Sequence, residues 1–180
     1  MNNIQRPALS WLTDYTTSTF LNSGKKHLFL TGTRQIGKST LFNALVEHRE
    51  IEILRSFALW NDSGFPSKVI LQPPQQGFCC VVGKRTTNGM IACQQTFQSV
   101  GAKLLQNLAN CSQEWVGIDE IGFLEQCSLI YQQNILQLLE QKRVFAVIRK
   151  DEHTFLNQLY SYPDSLLLDL DKIFESNRQT

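Results

Sequence analysis

The sequence has little excess charge and no long apolar run. Its 180 residues include 17 basic and 16 acidic side chains, for a formal net charge of +1. Such a balance creates no basic field that would attract a nucleic-acid backbone, so nucleic-acid binding is unsupported. No apolar stretch approaches the ~20 residues of a membrane-spanning helix, and the first residues lack a signal-peptide segment. We therefore expect no membrane partner and a cytoplasmic location.

Metal-binding patterns, repeats and low-complexity tracts are also missing. The five cysteines include no C-x-x-C pair, and the three histidines lie at no spacing typical of zinc sites. Apolar neighbours of the cysteines, as in Phe78–Val82, predict reduced thiols in the core. Without a repeat or a flexible linker, we expect one domain over residues 26–180. Residues 1–25 are expected to form a helical extension, with a helix over Pro7–Leu21.

Short apolar runs alternate with helical patterns along most of the chain. Nearly continuous apolar runs are typical of parallel strands covered on both faces. They predict strands over Leu28–Thr31, Trp115–Ile118, Val144–Ile148 and Leu166–Leu170. Between them, apolar spacing predicts helices over Ser39–Arg49, Phe97–Asn110, Leu129–Lys142 and Glu152–Tyr160. This order predicts an α/β fold, with a wound, mainly parallel sheet flanked by helices.

Residues 53–94 break the alternation. Glycines and prolines punctuate short apolar runs there, and Thr86–Gly89 offers a turn between Phe78–Val82 and Met90–Cys93. We interpret this segment as an inserted antiparallel hairpin. Two hypotheses stay open: the insert lies beside the ligand as a lid or a surface for a protein partner, or it extends the sheet.

The most informative pattern follows the first predicted strand. It is G-x-x-x-x-G-K-[ST], spelled here by Gly32-Thr-Arg-Gln-Ile-Gly-Lys38-Ser39, and a helical segment comes next. Gly32 and Gly37 allow the backbone turns that let successive N–H groups converge on phosphate oxygens. The start of the following helix adds its own unsatisfied N–H groups and positive dipole end. The sequence therefore predicts binding of a nucleoside triphosphate.

Specific side chains of this loop have expected roles. Lys38 is predicted to reach the β- and γ-phosphates, and the Ser39 hydroxyl is predicted to coordinate Mg²⁺. The remaining predicted nucleotide contacts from the loop are Thr33, Arg34, Gln35, Ile36 and Thr40.

A second chemical site follows the strand at Trp115–Ile118. Asp119 and Glu120 come directly after this apolar run. Because ligands bind at the carboxyl ends of parallel strands, Asp119 is predicted to complete the Mg²⁺ site. Glu120 is predicted to accept a proton from the attacking water as a general base.

A basic pair ends the strand predicted over Val144–Ile148. Arg149 and Lys150 fall at the same edge of the sheet. One hypothesis gives Arg149 a catalytic role, in which it neutralises charge on the γ-phosphate as an arginine finger supplied in cis. The other hypothesis is a solvent-facing loop. Arg34 is a weaker candidate for the same role.

The segment Asp119-Glu-Ile-Gly-Phe-Leu-Glu125, together with the phosphate loop and the insert, resembles a known family. It is similar to the small P-loop nucleoside triphosphatases that include the cancer-related nucleoside-triphosphatase. The resemblance covers about Lys26 to Phe174. It implies Mg²⁺-dependent hydrolysis of ATP, GTP and other nucleotides with loose base preference and slow turnover.

The resemblance also implies roles that the residues alone do not suggest. Glu125 matches a family acid that orients its neighbours, and Lys172 lies where the family carries a lysine beside the base. The chain departs from the family at Gly64–Leu71, where a glutamate and an arginine of the family pattern are missing. An arginine cluster between Gly64-Phe65 and Gly77-Phe78 is missing as well. These departures predict weaker turnover or reliance on Arg149.

Three functions remain in competition at this point. The first is a nucleoside-triphosphate hydrolase that uses Glu120 to activate water. The second is a nucleotide-gated adaptor or regulator with little turnover, whose insert contacts a partner. The third is a small-molecule kinase. Glu120 beside Asp119 favours water as the nucleophile, and no arginine-rich lid typical of nucleotide kinases lies between Ser39 and Asp119.

Overall fold

The computed structural model describes residues 7–74 and 79–177. Eight strands form one sheet: β1 His27–Thr31, β2 Glu52–Trp60, β3 Pro66–Gln72, β4 Cys80–Thr86, β5 Gly89–Ala92, β6 Trp115–Ile121, β7 Arg143–Ile148 and β8 Ser165–Asp169. The α-helices are α1 Leu9–Ser23, α2 Lys38–Val46, α3 Gln94–Thr96, α4 Ala102–Ala109, α5 Leu129–Gln141, α6 Thr154–Tyr160 and α7 Leu170–Ser176. A π-helical segment, Phe97–Gly101, joins α3 to α4, and a 3-10 turn spans Leu124–Cys127.

The sheet combines a parallel part with an antiparallel part. Its strand order is β5-β4-β3-β2-β6-β7-β1-β8. The five strands from β2 to β8 in that order run parallel, whereas β3, β4 and β5 continue the sheet as antiparallel neighbours. The wound, mainly parallel α/β fold predicted from the sequence is therefore confirmed.

Two apolar clusters cover the parallel part. One gathers side chains of α4, α5 and α6 with residues of the central strands, among them Leu105, Tyr131 and Leu156. The other gathers α1, α2 and α7, with Phe20, Leu41 and Phe174 among its members. All five residues of β1 are buried. Helices on both faces thus explain why the central strands are nearly continuous apolar runs.

The predicted parallel strands and their flanking helices match the structure closely, with shifts at their ends. Leu170 was expected to end the last strand but begins α7, because the Asp169 side chain caps that helix and accepts the Asp171 N–H at 3.1 Å. Helix α1 begins at Leu9, two residues after Pro7, and ends at Gly24, whose φ of 65° suits glycine. It packs on α2 and β8.

The insert is larger than the predicted hairpin. The β4–β5 hairpin forms with its turn at Thr86–Gly89, as predicted, but β2 and β3 also belong to the segment. Strand β2 joins the insert to the parallel part, since it pairs with β6 on one side and with β3 on the other. The insert thus extends the sheet, while its role as a lid or as a surface for a partner stays a prediction. Gly77 and Phe78 lie outside the described residues.

The cysteine expectation is wrong in part. All five thiols are free, but Cys79 is exposed and the others are only half-buried, because most lie on the insert or near element ends instead of in the central strands.

A separate observation concerns membranes: within residues 7–74 and 79–177, no helix is both long and apolar enough to cross a bilayer.

Candidate active site

A cavity of about 630 Å³ opens at the carboxyl ends of the parallel strands. The loop after β1, the last residues of β6 and the residues after β7 surround it. The insert supplies a further wall from β2, β3 and β5. Because three parallel strands end here side by side, polar groups distant in sequence meet at one place.

The loop between β1 and α2 has the backbone geometry that the glycine positions require. Gly32 has φ 145° and Gly37 has φ 112°, and Gln35 also has a positive φ of 62°. A Cβ added at Gly32 would lie 3.1 Å from Cγ2 of Ile36, so a side chain there would crowd the loop. Helix α2 begins directly afterwards at Lys38. The loop therefore turns tightly onto a helix N-terminus, the arrangement that favours anions.

Lys38 folds back over this loop. Its ammonium donates to the backbone carbonyls of Gly32 at 2.9 Å and Thr33 at 3.0 Å. Burial lowers the pKa of Lys38, and the nearby carboxylate of Glu120 opposes that effect. The charge of Lys38 is thus held inside the cavity, close to the acids of β6.

Ser39 and Asp119 are brought together from 80 residues apart. The Ser39 hydroxyl donates to Oδ1 of Asp119 at 3.0 Å. The other oxygen, Oδ2, lies 3.4 Å from the Arg55 guanidinium, which also donates to Oδ1 of Asn43 at 2.9 Å. Burial raises the pKa of Asp119, whereas the Ser39 hydrogen bond and the Arg55 charge lower it.

Glu120 is fixed through its backbone, which leaves its carboxyl to the cavity. Its N–H donates to the Ser56 hydroxyl at 3.2 Å, and that hydroxyl lies 3.0 Å from its carbonyl oxygen. The two residues therefore bind β6 to β2 at the edge of the site. Burial raises the pKa of the Glu120 carboxyl, and the positive charges of Arg149 and Lys38 oppose the shift.

Arg149 also lines the cavity. Its backbone N–H donates to the Ile121 carbonyl at 2.8 Å, and its carbonyl accepts from the Tyr160 hydroxyl. The guanidinium carbon lies 5.2 Å from the ring centroid of Phe123, a cation–π contact. Arg149 is half-buried at the wall of the cavity, and its catalytic role stays a prediction.

An ion-pair network that the sequence did not reveal joins α7 to the loop. Lys150 Nζ contacts Asp169 at 2.8 Å and Asp171 at 2.9 Å. Asp171 also accepts the N–H and the hydroxyl of Thr33, both at 2.8 Å. Burial raises the pKa of Asp171, but the hydrogen bonds from Lys150 and Thr33 outweigh it, so the pKa is lowered. No local sequence pattern signals these pairings.

The remaining predicted contacts divide into two groups. Arg34, Gln35 and Thr40 line the cavity together with the two loop glycines. By contrast, Ile36 is buried in the core, and Thr33 faces Asp171. Lys172 is exposed and is not among the cavity-lining residues. The base-side role of Lys172 therefore depends on the resemblance alone.

The residues present suit Mg²⁺ better than a transition metal. Ser39 and Asp119 offer hard oxygen donors in contact with each other. Among the residues that the structure describes, no three His, Cys, Asp or Glu side chains gather as a metal site. Mg²⁺ in phosphate sites commonly keeps water and substrate oxygens as most of its ligands, so two protein oxygens are a fitting set.

The fold and the loop define a P-loop nucleotide-binding protein of the α/β class. A sequence model of the family described as NTPase matches residues 68–180. That range includes Asp119 and Glu120, while the phosphate loop precedes it. The chain belongs to this NTPase family and is a nucleoside-triphosphatase enzyme.

Solved structures agree on the fold. THEP1 from the hyperthermophile Aquifex aeolicus is similar with a TM-score of 0.61 and 18% identity, covering 83% of this chain and 95% of that chain. The solution structure of a human cancer-related nucleoside triphosphatase also has a TM-score of 0.61, with 16% identity, and covers 86% of this chain and 98% of that chain. No curated protein sequence matches the chain.

Proposed function

We propose that the chain hydrolyses nucleoside triphosphates with Mg²⁺ in the cavity described above, and with loose preference for the base. The observation that carries the proposal is the 3.0 Å contact between Ser39 and Asp119, with Lys38 and Glu120 beside it. Two motifs 80 residues apart in sequence thereby share one cavity. Such a juxtaposition is what phosphoryl transfer to water needs.

The phosphate chain is held by the loop and the start of α2. Backbone N–H groups of the loop and the helix N-terminus supply partial positive charge. Lys38 adds a full charge, and its present acceptors are two neutral carbonyls of the same loop. A phosphate oxygen is a stronger acceptor than a carbonyl, so the ammonium moves to the β- and γ-phosphates on binding.

Ser39 and Asp119 are the residues that hold Mg²⁺. Mg²⁺, when bound there, would supply positive charge that offsets the negative charge of the phosphate oxygens. Arg55 orients Asp119 from the far side, since it contacts the carboxylate oxygen that does not face Ser39. That contact keeps the other oxygen directed at the site.

Glu120 acts as the general base. Its carboxyl takes the proton of a water that attacks the γ-phosphorus, and the bond to the bridging oxygen of the diphosphate breaks. Arg149 and Lys38 stabilise the negative charge on the transferring phosphoryl group. Both positive groups lie close enough to Glu120 to oppose the effect of burial on its pKa.

Loose base preference is supported by the wall that the insert supplies. Phe57, Ala58, Pro66, Val69 and Met90 line this side of the cavity. These side chains offer contact area but no hydrogen-bonding groups. A base held against them is therefore recognised by packing, which distinguishes one base from another only weakly.

A second candidate function is a nucleotide-gated regulator that turns over slowly. The insert exposes apolar side chains, among them Trp60 at 54%, Phe65 at 53% and Ile91 at 53%. Exposed apolar groups gathered on one segment favour contact with a protein partner. Tight nucleotide binding with no phosphate release would make this second candidate the better explanation.

Phosphate release from ATP, GTP, CTP and UTP, with Mg²⁺ or with EDTA, tests the proposal. We expect Mg²⁺-dependent release from all four. Lys38→Ala is expected to weaken triphosphate binding roughly 10- to 100-fold, because it removes a charge-assisted contact. Lys103→Ala, which alters an exposed lysine on α4, is the matched control and is expected to bind as the parent does.

Two results would contradict the proposal. One is release that persists in EDTA at the same rate. The other is a Lys38→Ala variant with the affinity of the parent. Formation of the diphosphate only when an acceptor alcohol is added, with the phosphate recovered on the alcohol, would assign the site to a kinase.

A further inference from the structure

Arg34, at the tip of the phosphate loop, contacts an aromatic ring on the insert. Its guanidinium carbon lies 5.7 Å from the ring centroid of Trp60, the last residue of β2. Arg34 lines the cavity, and Trp60 is 54% exposed. The phosphate loop and the insert therefore touch at the cavity rim through one arginine and one ring.

This contact joins two elements whose strands are not neighbours in the sheet. In the sheet, β7 and β6 separate β1 from β2. The strand ends between them carry Arg149 and the pair Asp119 and Glu120. Strand β2 continues for five residues beyond Arg55, which pairs with Asp119, and ends at Trp60. Arg34 therefore contacts the part of β2 that projects past the acid pair.

Trp60 is well placed to hold a guanidinium. The turn after it is closed by hydrogen bonds between Asn61 and Phe65, in which the Asn61 N–H donates to the Phe65 carbonyl at 2.9 Å. The Asn61 side chain in turn accepts the Phe65 N–H, also at 2.9 Å. The turn fixes the end of β2, so the ring offers a stable face for Arg34.

The charge of Arg34 is available to a ligand. Within the described residues, no carboxylate lies within 4.0 Å of its guanidinium. Burial raises the pKa of Glu120, and the charge of Arg34 is among those that oppose this rise. Lys150, another cation of the cavity, is instead engaged by Asp169 and Asp171. A planar guanidinium without an acid partner suits the oxygens of a polyphosphate.

We propose that Arg34 is a phosphate-contacting residue, and that Trp60 is a positioning residue which holds the Arg34 guanidinium at the rim until a triphosphate binds. This inference rests on the proposed function and adds a specific cation to it. An exposed cation–π contact is weaker than a charge-assisted hydrogen bond to phosphate. Binding of the triphosphate therefore draws Arg34 from the ring to the phosphate oxygens and frees Trp60 from this contact.

Two measurements test the inference. One is the steady-state rate of phosphate release from ATP in the presence of Mg²⁺, and the other is the change in tryptophan fluorescence when ATP is added. Arg34→Ala is expected to raise KM about tenfold or more. Trp60→Ala is expected to raise KM by a smaller factor, and Trp60→Phe is expected to restore it, because phenylalanine keeps a ring face. ATP is expected to change the emission of the parent, and this change is expected to be lost in Trp60→Phe and Arg34→Ala.

The chain contains a matched control pair. The Arg85 guanidinium carbon lies 5.1 Å from the ring centroid of Phe65, and neither residue lines the cavity. Arg85→Ala, which removes this contact and leaves the turn after Trp60 unaltered, is expected to leave KM unchanged. Thermal unfolding of each variant identifies any that fail to fold.

Failures of the inference and of the proposed function give different results. Parent-like KM in Arg34→Ala, while Lys38→Ala still loses affinity, would overturn the role of Arg34 and leave the hydrolase in place. Equal KM in Trp60→Ala and Trp60→Phe would overturn the positioning role of Trp60. A parent that binds ATP without releasing phosphate would overturn the hydrolase, and the emission change would still decide the Arg34 contact.

Discussion

At the scale of single residues, Glu125 is a carboxyl in a place where charge is costly. It is 6% exposed, and its Oε2 accepts the Gly122 N–H at 2.9 Å. Burial raises its pKa to about 7, while hydrogen bonds to backbone N–H groups act in the opposite direction. Because Gly122 follows directly after β6, Glu125 stabilises the turn that comes after the Asp119 and Glu120 segment.

Glu125→Gln is expected to alter how stability depends on pH. In the parent, the unfolded chain loses the Glu125 proton from pH 4.5 upward, whereas the folded protein keeps it until about pH 7. The unfolded state therefore binds fewer protons in this window, and stability falls as pH rises through it, by up to about 3 kcal/mol. Urea unfolding at pH 5 and pH 8 measures the effect, which Glu125→Gln is expected to remove.

Glu175→Gln, at an exposed position on α7, provides the comparison. We expect this variant to keep the pH dependence of the parent. A Glu125→Gln protein that loses as much stability as the parent between pH 5 and pH 8 would show that another group causes the effect.

The phosphate-loop glycines, Lys38 and Ser39 were identifiable from sequence because their spacing is fixed by local backbone geometry. Arg34 was predicted as a nucleotide contact, but its pairing with Trp60 was not, since 26 positions and an intervening helix separate the two residues. Asp171 escaped notice for the same reason. A long-range side-chain contact leaves no periodic trace in a single sequence.

At the scale of elements, α7 acts as a brace for the phosphate loop. Asp171 accepts two hydrogen bonds from Thr33 and one from Lys150, so three elements meet at one carboxylate. Thr33 is thereby held in place before any nucleotide arrives. Because the loop is already ordered, nucleotide binding costs less conformational entropy.

Asp171→Ala is expected to lower the free energy of unfolding by about 1–3 kcal/mol, because the Thr33 N–H and the Lys150 ammonium lose their shared acceptor. It is also expected to speed hydrogen exchange of the Thr33 amide. Lys172→Ala, on the exposed face of the same helix, is expected to change stability by less than about 0.5 kcal/mol. Unchanged exchange at Thr33 in Asp171→Ala would contradict the bracing role.

Elements of the parallel part were predictable, whereas the insert was only partly so. Strands β1 and β7 are covered on both faces, which makes them continuous apolar runs. Strand β2 is half-buried and includes Arg55 and Ser56, which contact Asp119 and Glu120 beside the cavity. These polar residues interrupt the apolar pattern, so the sequence indicated one hairpin where four strands exist.

At the scale of the whole molecule, strand order assembles the site. The phosphate loop follows β1 and the acid pair ends β6, and only β7 separates those strands in the sheet. The fold class was predictable because alternation of strands and helices constrains the winding. The position of the insert at the sheet edge was not, because edge pairing depends on contacts between distant segments.

The family match shows a nucleoside triphosphatase. Which side chain accepts the proton of the attacking water is a separate question. Glu120 is the acid of the cavity that faces both Lys38 and Arg149. Asp119 is occupied by Ser39 and Arg55. Catalysis by Glu120 is therefore the claim on which the hydrolytic mechanism depends.

The most direct test of that claim is the rate at which Glu120→Gln releases phosphate from ATP in the presence of Mg²⁺, measured together with the affinity for ATP. We expect turnover to fall about 100- to 10,000-fold, the range of general-base catalysis, with affinity close to that of the parent. Glu175→Gln serves as control and is expected to keep parental turnover. Parental turnover in Glu120→Gln would contradict the assignment of Glu120 as the base.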